Sequence, residues 1–165
     1  MANLVYTTGL AEIMDGTIDW VNDTLVMMAV TSSYVANVDH LVVDAGGADD
    51  PVDHEIDCTG YTGATRGWGG SSRKVLANAA VTADTGNDRV ELYADDVDYG
   101  VLGGASNDDI AAFIVIKEGG ANDTTSRLIC YIDTVSGSPS LPYTTVGVNV
   151  TLNTSAEGII QIPTA

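Results

Sequence analysis

The chain contains a series of short segments in which every second residue is aliphatic, and this pattern limits the folds it can adopt. Residues 146–152 (VGVNVTL) give the clearest case, and residues 89–94 (RVELYA) follow the same rule. In a strand, successive side chains point to opposite faces, so a period of two predicts one face packed on a core and one face turned outward. The pattern therefore predicts β-strands.

Two other segments are apolar at nearly every position. They are residues 24–31 (TLVMMAVT) and residues 110–116 (IAAFIVI). A strand that is apolar on both faces is typical of the centre of a packed structure. We predict further strands at 38–43, at 73–81 with Val75, Ala77, Ala79 and Val81 on one side, at 127–132 with Leu128, Cys130 and Ile132 on the core side, and at 159–162.

The best helix candidate is residues 3–14, which the turn dipeptide Asp15-Gly16 ends. Clusters of Gly, Asn and Asp separate the later segments, as in antiparallel sheets joined by tight turns. The sequence predicts an all-β fold, mainly an antiparallel β-sandwich or barrel of jelly-roll or Greek-key type, with a short N-terminal helix. We find no repeat and no linker, and so expect one domain over residues 1–165.

The charge balance is strongly acidic, with 23 acidic residues against 6 basic ones and a net charge of −17. Nucleic-acid binding needs a cationic face, so we expect neither a nucleic-acid partner nor an anionic membrane surface. Lysine occurs only at positions 74 and 117, and Asp outnumbers Glu. This composition favours a halophilic or marine setting, in which salt screens the self-repulsion.

The acidic residues form a dense cluster in residues 49–57 (DDPVDHEID) and another at 95–98. Neither follows the spacing of a calcium-binding loop, so we expect no bound metal. We expect the polar segment 44–55 to be a solvated, mobile loop. His40 and His54 are the only imidazoles, and neither lies in the frame of a nucleophilic triad. We therefore predict no catalytic residue, no cofactor and no enzymatic activity.

The two cysteines and the two tryptophans allow a structural interpretation. The N-terminal segment has no basic region ahead of an apolar one, so we expect that the protein is not exported. We therefore expect Cys58 and Cys130 to be free thiols. Trp20 and Trp68 are candidate partner contacts, because Trp is enriched at the energetic centres of interfaces. Trp68 stands between two glycines and could be held out on a loop.

The order of several segments is similar to a family of small virion proteins of tailed phages. The segments that carry this likeness are GTIDW at 16–20, NDTL at 22–25, AFIVIKE at 112–118, NDTTS at 122–126, LICYID at 128–133 and GIIQI at 158–162. They span about two-thirds of the chain in the family's order. The chain departs from the family in its Gly-rich region at 60–72 and in its excess acidity.

This resemblance implies a particle component with no enzymatic residues, of the capsid decoration or cement type. The expected partner is the major capsid protein, and the expected state is a homo-oligomer, with a trimer as our hypothesis. The expected location is the capsid exterior, after assembly in the host cytoplasm. Two alternatives stay open, a tail or baseplate component that binds a receptor, and a carbohydrate-binding module that uses Trp20 or Trp68.

Overall fold

The protein, a computed structural model, is described at residues 4–61, 66–103, 108–134, 141, 143–144, 146–152 and 158–164. One α-helix, α1, covers Thr7–Met14. The strands are β1 (Leu4–Val5), β2 (Leu25–Val30), β3 (Lys74–Val75), β4 (Ala80–Asp84), β5 (Arg89–Tyr93), β6 (Val97–Gly103), β7 (Asp109–Ile110), β8 (Ala112–Lys117), β9 (Arg127–Ile132), β10 (Tyr143–Thr144), β11 (Val146–Leu152) and β12 (Ile160–Pro163).

The largest sheet has the strand order β1-β9-β8-β2-β3, with antiparallel pairing throughout. Its central strands β2 and β8 are the two segments predicted to be apolar on both faces. The side chains of Leu25–Val30 are all buried, and so are those from Ala112 to Ile116. This prediction is confirmed, since such strands need a core on each side.

The first of these cores lies between this sheet and three smaller antiparallel pairings, β12-β5-β4, β11-β6 and β10-β7. Met27 and Phe113 meet Leu92 and Leu102 there, and the Tyr99 hydroxyl donates to the Met27 carbonyl oxygen at 2.8 Å. The fold is therefore all-β and sandwich-like, as the sequence predicts. Among the described residues, no helix has the length and hydropathy of a membrane span.

The opposite face of the large sheet has its own core, which a long loop covers. Tyr6, Met28 and Ile114 pack there against Tyr34 and Val43 of the loop that follows β2. The segment predicted as a strand at 38–43 belongs to this loop, and it makes only a single bridge, from Val42 to Arg127. That prediction is wrong, because the segment forms no strand: only residues 41–43 bond to the backbone of Ser126 and Leu128, and Val43 packs into the second core.

Three other local predictions need correction. The helix begins at Thr7 and not at residue 3, since Leu4 and Val5 pair with Tyr131 and Cys130 as the edge strand β1. The segment 73–81 divides into β3 and β4, which belong to different sheets. Asn78 lies between them with a φ of 50°. The buried aliphatic side chain of the segment is Leu76, whereas Val75 and Val81 are exposed.

The third correction concerns β9, where a bulge reverses the alternation. Cys130 lies opposite Val115, but Leu128 lies opposite Ile116, so one extra residue, Ile129, stands between the two pairs. A bulge of this kind places the residues before and after it on opposite faces. Leu128 consequently packs in the second core, whereas Cys130 and Ile132 pack in the first.

The remaining strand predictions are confirmed. In β5, Leu92 and the following Ala94 are buried and Val90 is half-buried, as its alternation requires. β11 covers the predicted residues 146–152, and Val150 is buried in the first core. For Val146, Val148 and Leu152 of that alternation, the structure describes the backbone pairing alone. Cys58 and Cys130 are both buried, and neither forms a disulfide.

Candidate partner-binding surface

The two candidate contact residues lie in different environments. Trp20 is only 3% exposed and packs in the first core, where its Nε1 donates to the Tyr93 carbonyl oxygen at 3.1 Å. Its ring has no free face for a partner or a sugar, so Trp20 is withdrawn as a contact residue. Trp68 is 43% exposed and remains a candidate.

Trp68 stands on a short Gly-rich segment, residues 66–72, which we call the Trp68 loop. Gly67 and Gly69 on either side of it have φ values of 76° and 66°, a backbone region that favours glycine. The Trp68 Nε1 donates to the Gly119 carbonyl oxygen at 2.7 Å, and the Gly69 amide donates to Glu118 Oε1 at 3.1 Å. These contacts fix the indole against the loop between β8 and β9 while part of the ring stays open.

A buried ion cluster lies directly after the Trp68 loop. The Arg73 side chain is 0% exposed, and its guanidinium donates from Nε and Nη2 to the two Glu55 carboxylate oxygens, both at 2.9 Å. It also donates from Nη1 and Nη2 to the two Asp123 oxygens at 2.6 and 3.0 Å. We call these three residues the Arg73 cluster. Two bidentate pairs of this kind are strong and directional.

Each member of the Arg73 cluster comes from a different part of the chain. Glu55 follows the short 3-10 helix Pro51–His54, Arg73 precedes β3, and Asp123 begins the 3-10 helix Asp123–Thr125. Glu118 adds a third carboxylate, at 3.9 Å from Arg73 Nη1. The cluster therefore ties the loop at 50–61, the Trp68 loop and the β8–β9 loop to one another.

Hydrogen bonding within the cluster reaches into the first core. The Tyr61 hydroxyl donates to Glu55 Oε1 at 2.6 Å, and its ring stacks on Tyr99 with centroids 6.1 Å apart. Burial raises the pKa of Tyr61 well above its usual range, and the Glu55 charge acts in the same direction. Tyr61 therefore stays protonated and serves as a donor to the carboxylate.

The electrostatics keep Arg73 charged. Burial acts to lower the pKa of Arg73, but the hydrogen bonds and charges of Glu55 and Asp123 outweigh it and leave the pKa raised. Each carboxylate is occupied by the guanidinium, and neither is presented to solvent as a free acid or base. This arrangement is suited to holding the loops in fixed positions, and less suited to acid–base catalysis.

The acidic loop at 44–55 is more structured than the sequence suggests. Asp50 is buried and accepts the amides of Ala45 and Gly47 at 2.8 and 2.7 Å, and Glu55 is the buried partner of Arg73. The expectation of a wholly solvated loop is therefore wrong for these two carboxylates. Over the described ranges, no group of three His, Cys, Asp or Glu side chains is placed to hold a metal ion.

The two imidazoles lie near tyrosines on the second core. His40 Nδ1 is 3.0 Å from the Tyr34 hydroxyl, which in turn is 2.8 Å from the Tyr6 hydroxyl. The His54 ring lies 6.1 Å from the Tyr34 ring. Burial raises the pKa of Tyr34 to about 12, so this hydroxyl is neutral at physiological pH.

Sequence reasoning identified Trp68 but missed the Arg73 cluster. Glu55 and Asp123 are 68 positions apart, and each stands in a stretch that reads as solvated turn. The only signal was Arg73 itself, one of four arginines, placed in a segment that alternates like a strand. A charge at such a position needs a buried partner, but its identity depends on the tertiary fold.

In comparisons with known proteins, no family model, no curated protein and no solved structure matches this chain.

Proposed function

We propose that this chain is a structural protein of a tailed-virus particle, and that it acts as a decoration protein on the outer face of the capsid. In this proposal it binds the major capsid protein as a homo-oligomer, with a trimer as the simplest closed form. Such a protein reinforces the shell because binding to the assembled state stabilises that state by mass action. The order of segments described above supplies the likeness to virion proteins.

The observation that carries the proposal is the half-exposed Trp68 on a loop that the Arg73 cluster anchors. A rigid aromatic anchor loses little entropy on binding, which is the property of an interface hot spot. Exposed aliphatic side chains at Val35, Val38 and Leu41 offer further contact area on the loop that follows β2. The net charge of −17 suits an exterior position, where like charges keep particles apart.

The decisive experiment uses particles assembled with and without this chain. We expect particles that lack it to release their DNA at a lower temperature, and the added purified chain to bind and restore the release temperature. Trp68→Ala should weaken the binding by about thirtyfold, as loss of a hot-spot tryptophan does. Val81→Ala, which also trims an exposed apolar side chain but lies on β4, away from the proposed contact residues, should change it by less than about threefold.

The proposal fails if particles without the chain keep their thermal stability and purified shells do not bind it. Copy number separates the tail or baseplate alternative from the capsid one. A capsid decoration protein should be comparable in amount to the major capsid protein, and a tail component should be far scarcer. Mass-spectrometric quantification of purified particles gives this ratio directly.

The exposed ring of Trp68 also favours one function of a different class, a carbohydrate-binding module. The face of the Trp68 indole could stack on a sugar ring. The Glu118 carboxylate and the Gly119 carbonyl beside it could accept hydrogen bonds from the sugar hydroxyls. Glycan binding by the wild type that disappears in Trp68→Ala would support this function. Absence of glycan binding in the wild type would remove it.

A further inference from the structure

Strand β4 forms one edge of the sheet β12-β5-β4, and its outer side pairs with no other strand among the described residues. The other sheet edges in the described part of the chain are short or irregular. β1, β3, β7 and β10 have two residues each, β6 and β11 pair with register shifts, and β12 contains Pro163. Such features keep an edge from pairing with another chain. β4 lacks them, because its five residues pair one to one with β5.

The hydrogen-bond pattern of the sheet identifies the main-chain groups at this free edge. The Thr164 amide donates to the Asp88 carbonyl oxygen at 2.8 Å. Residues of a middle strand bond alternately to its two neighbours, so the even-numbered residues of β5 bond β12 and the odd-numbered ones bond β4. These odd-numbered residues lie opposite the even-numbered residues of β4. The N–H and C=O groups of Val81 and Ala83 therefore point away from β5, at the free edge.

The side chains of the same two residues are apolar and exposed. Val81 lies opposite Leu92, and side chains directly opposite each other share a face of the sheet. Leu92 is 2% exposed in the first core, whereas Val81 is 51% exposed. Ala83, opposite the half-buried Val90, is exposed as well. The core-facing side of this sheet thus extends beyond the core at β4, where its apolar side chains meet water.

This edge also carries little charge in a strongly acidic chain. Residues 75–83 (VLANAAVTA) contain no ionisable side chain, although the net charge is −17. Asp84 at the end of β4 and Glu91 on β5 both pair with Arg89, at 3.1 and 2.6 Å. A basic partner would find no unpaired carboxylate on β4, and a second acidic copy would meet none there. The edge is therefore suited to a second copy of the chain.

We propose that β4 pairs with β4 of a second copy, antiparallel and with a two-fold axis at Thr82. In this register Val81 of each copy lies opposite Ala83 of the other, and each such pair exchanges two main-chain hydrogen bonds. The outward N–H and C=O groups of both residues are then all bonded. Their side chains form one apolar strip, and the two Thr82 side chains make a favourable cross-strand pair. Asp84 lies opposite Ala80 and not opposite another carboxylate.

This contact differs from the surface proposed for the capsid. It does not use the Trp68 loop, and its two-fold symmetry joins copies, or whole trimers, in pairs. A contact that buries less than about 1,200 Å² is weak, so we expect a dissociation constant of about 0.1 mM. Particle binding compared at low micromolar concentration, with Val81→Ala as control, is therefore not disturbed by pairing. The inference does not rest on a virion role.

Sedimentation equilibrium of the purified chain from about 10 μM to about 1 mM tests the proposal, in about 1 M salt to shorten the Debye length to about 3 Å. We expect the average mass of the wild type to approach twice its value at the lowest concentration. Val81→Lys should weaken the pairing by at least about tenfold, because it places an ammonium group in the apolar strip. It also changes the net charge from −17 to −16, so stronger repulsion between copies cannot explain the loss.

The matched control is Val101→Lys, which makes the same change of charge and size on β6, where Val101 is 60% exposed. It should leave the pairing within about twofold. Ala83→Pro tests the main-chain bonds, since it removes an outward N–H and keeps the N–H groups that bond β5. It should abolish the pairing while circular dichroism shows an intact fold. If Ala83→Pro does not fold, Val81→Lys and its control decide the question.

A mass that stays constant over the concentration range would overturn the proposal. So would a pairing that Val101→Lys weakens as much as Val81→Lys does. A pairing that survives in Val81→Lys or in folded Ala83→Pro would place the contact away from β4 and would overturn it as well. None of these results bears on the release of DNA from particles, so this proposal and the proposed function fail independently.

Discussion

Replacement of Arg73 by methionine is the sharpest test of the Arg73 cluster. Methionine fills a similar volume, but it leaves the carboxylates of Glu55 and Asp123 buried without their shared cation. Removing one partner of a buried ion pair costs about 3–5 kcal/mol, because the remaining charge is uncompensated. For a domain of this size we expect the melting temperature to fall by about 6–20 °C.

The matched control is Arg89→Met. Arg89 makes two ion pairs as well, with Asp84 at 3.1 Å and Glu91 at 2.6 Å, but its side chain is 28% exposed. Water and salt screen such a pair, so its loss should cost about 1 kcal/mol or less. Urea unfolding followed by circular dichroism gives both free energies, and added salt should reduce the Arg89 effect while leaving the Arg73 effect nearly unchanged.

The triple variant Arg73→Met, Glu55→Gln and Asp123→Asn extends this test. It removes the buried charges together, so it should be more stable than Arg73→Met alone. Equal losses of unfolding free energy in Arg73→Met and Arg89→Met would contradict this prediction, since they would mean that the Arg73 pairs are solvated. A triple variant less stable than Arg73→Met would contradict the role assigned to uncompensated charge.

Three further predictions follow from the fold and the composition. Gly9→Ala should lower the unfolding free energy by about 1–3 kcal/mol although alanine favours helices, because the new Cβ would clash with the Leu128 carbonyl oxygen. Thr8→Ala in the same helix should lower it by less, and urea unfolding measures both variants. Burial raises the pKa of Cys130 from 9.0 to about 12, so the stability that this thiol contributes is complete below pH 9 and is lost as the pH rises towards 12. The difference in unfolding free energy between the wild type and Cys130→Ala should therefore narrow over that range, and a constant difference would contradict the burial. The net charge of −17 predicts that the unfolding free energy rises between about 0.01 M and about 1 M salt, as the Debye length falls from about 30 to about 3 Å; a flat or falling curve would argue against self-repulsion.

The predictions that succeeded depend on local periodicity. β2, β5 and β8 could be recognised because burial on one or both faces leaves a direct pattern in the order of apolar residues. The two short predicted strands that failed, at 38–43 and 73–81, are equally aliphatic. They differ from the correctly predicted strands only in their tertiary surroundings. The segment 38–43 lies over the second core, and the segment 73–81 passes from one sheet to another at Asn78.

The residues of the candidate surface also differ in whether local sequence could predict them. Trp68 could be found because glycines on both sides favour an exposed turn, whereas Trp20 lacks such a signal and packs in the core. The Arg73 cluster could not be found, since its members meet only when three loops converge. The bulge at Ile129 was equally hidden, because one extra residue changes the facing of Leu128 without changing the composition of the strand.

In the proposed function, the anchored Trp68 loop of a β-scaffold makes contacts on the outside of a virus shell. A cryo-EM map at side-chain resolution of particles that contain this chain tests this claim. We predict density for the chain on the outer capsid surface, in symmetric groups, with Trp68 seated against a major capsid subunit. Density only in the tail or inside the shell, or no density in intact particles, would contradict the claim.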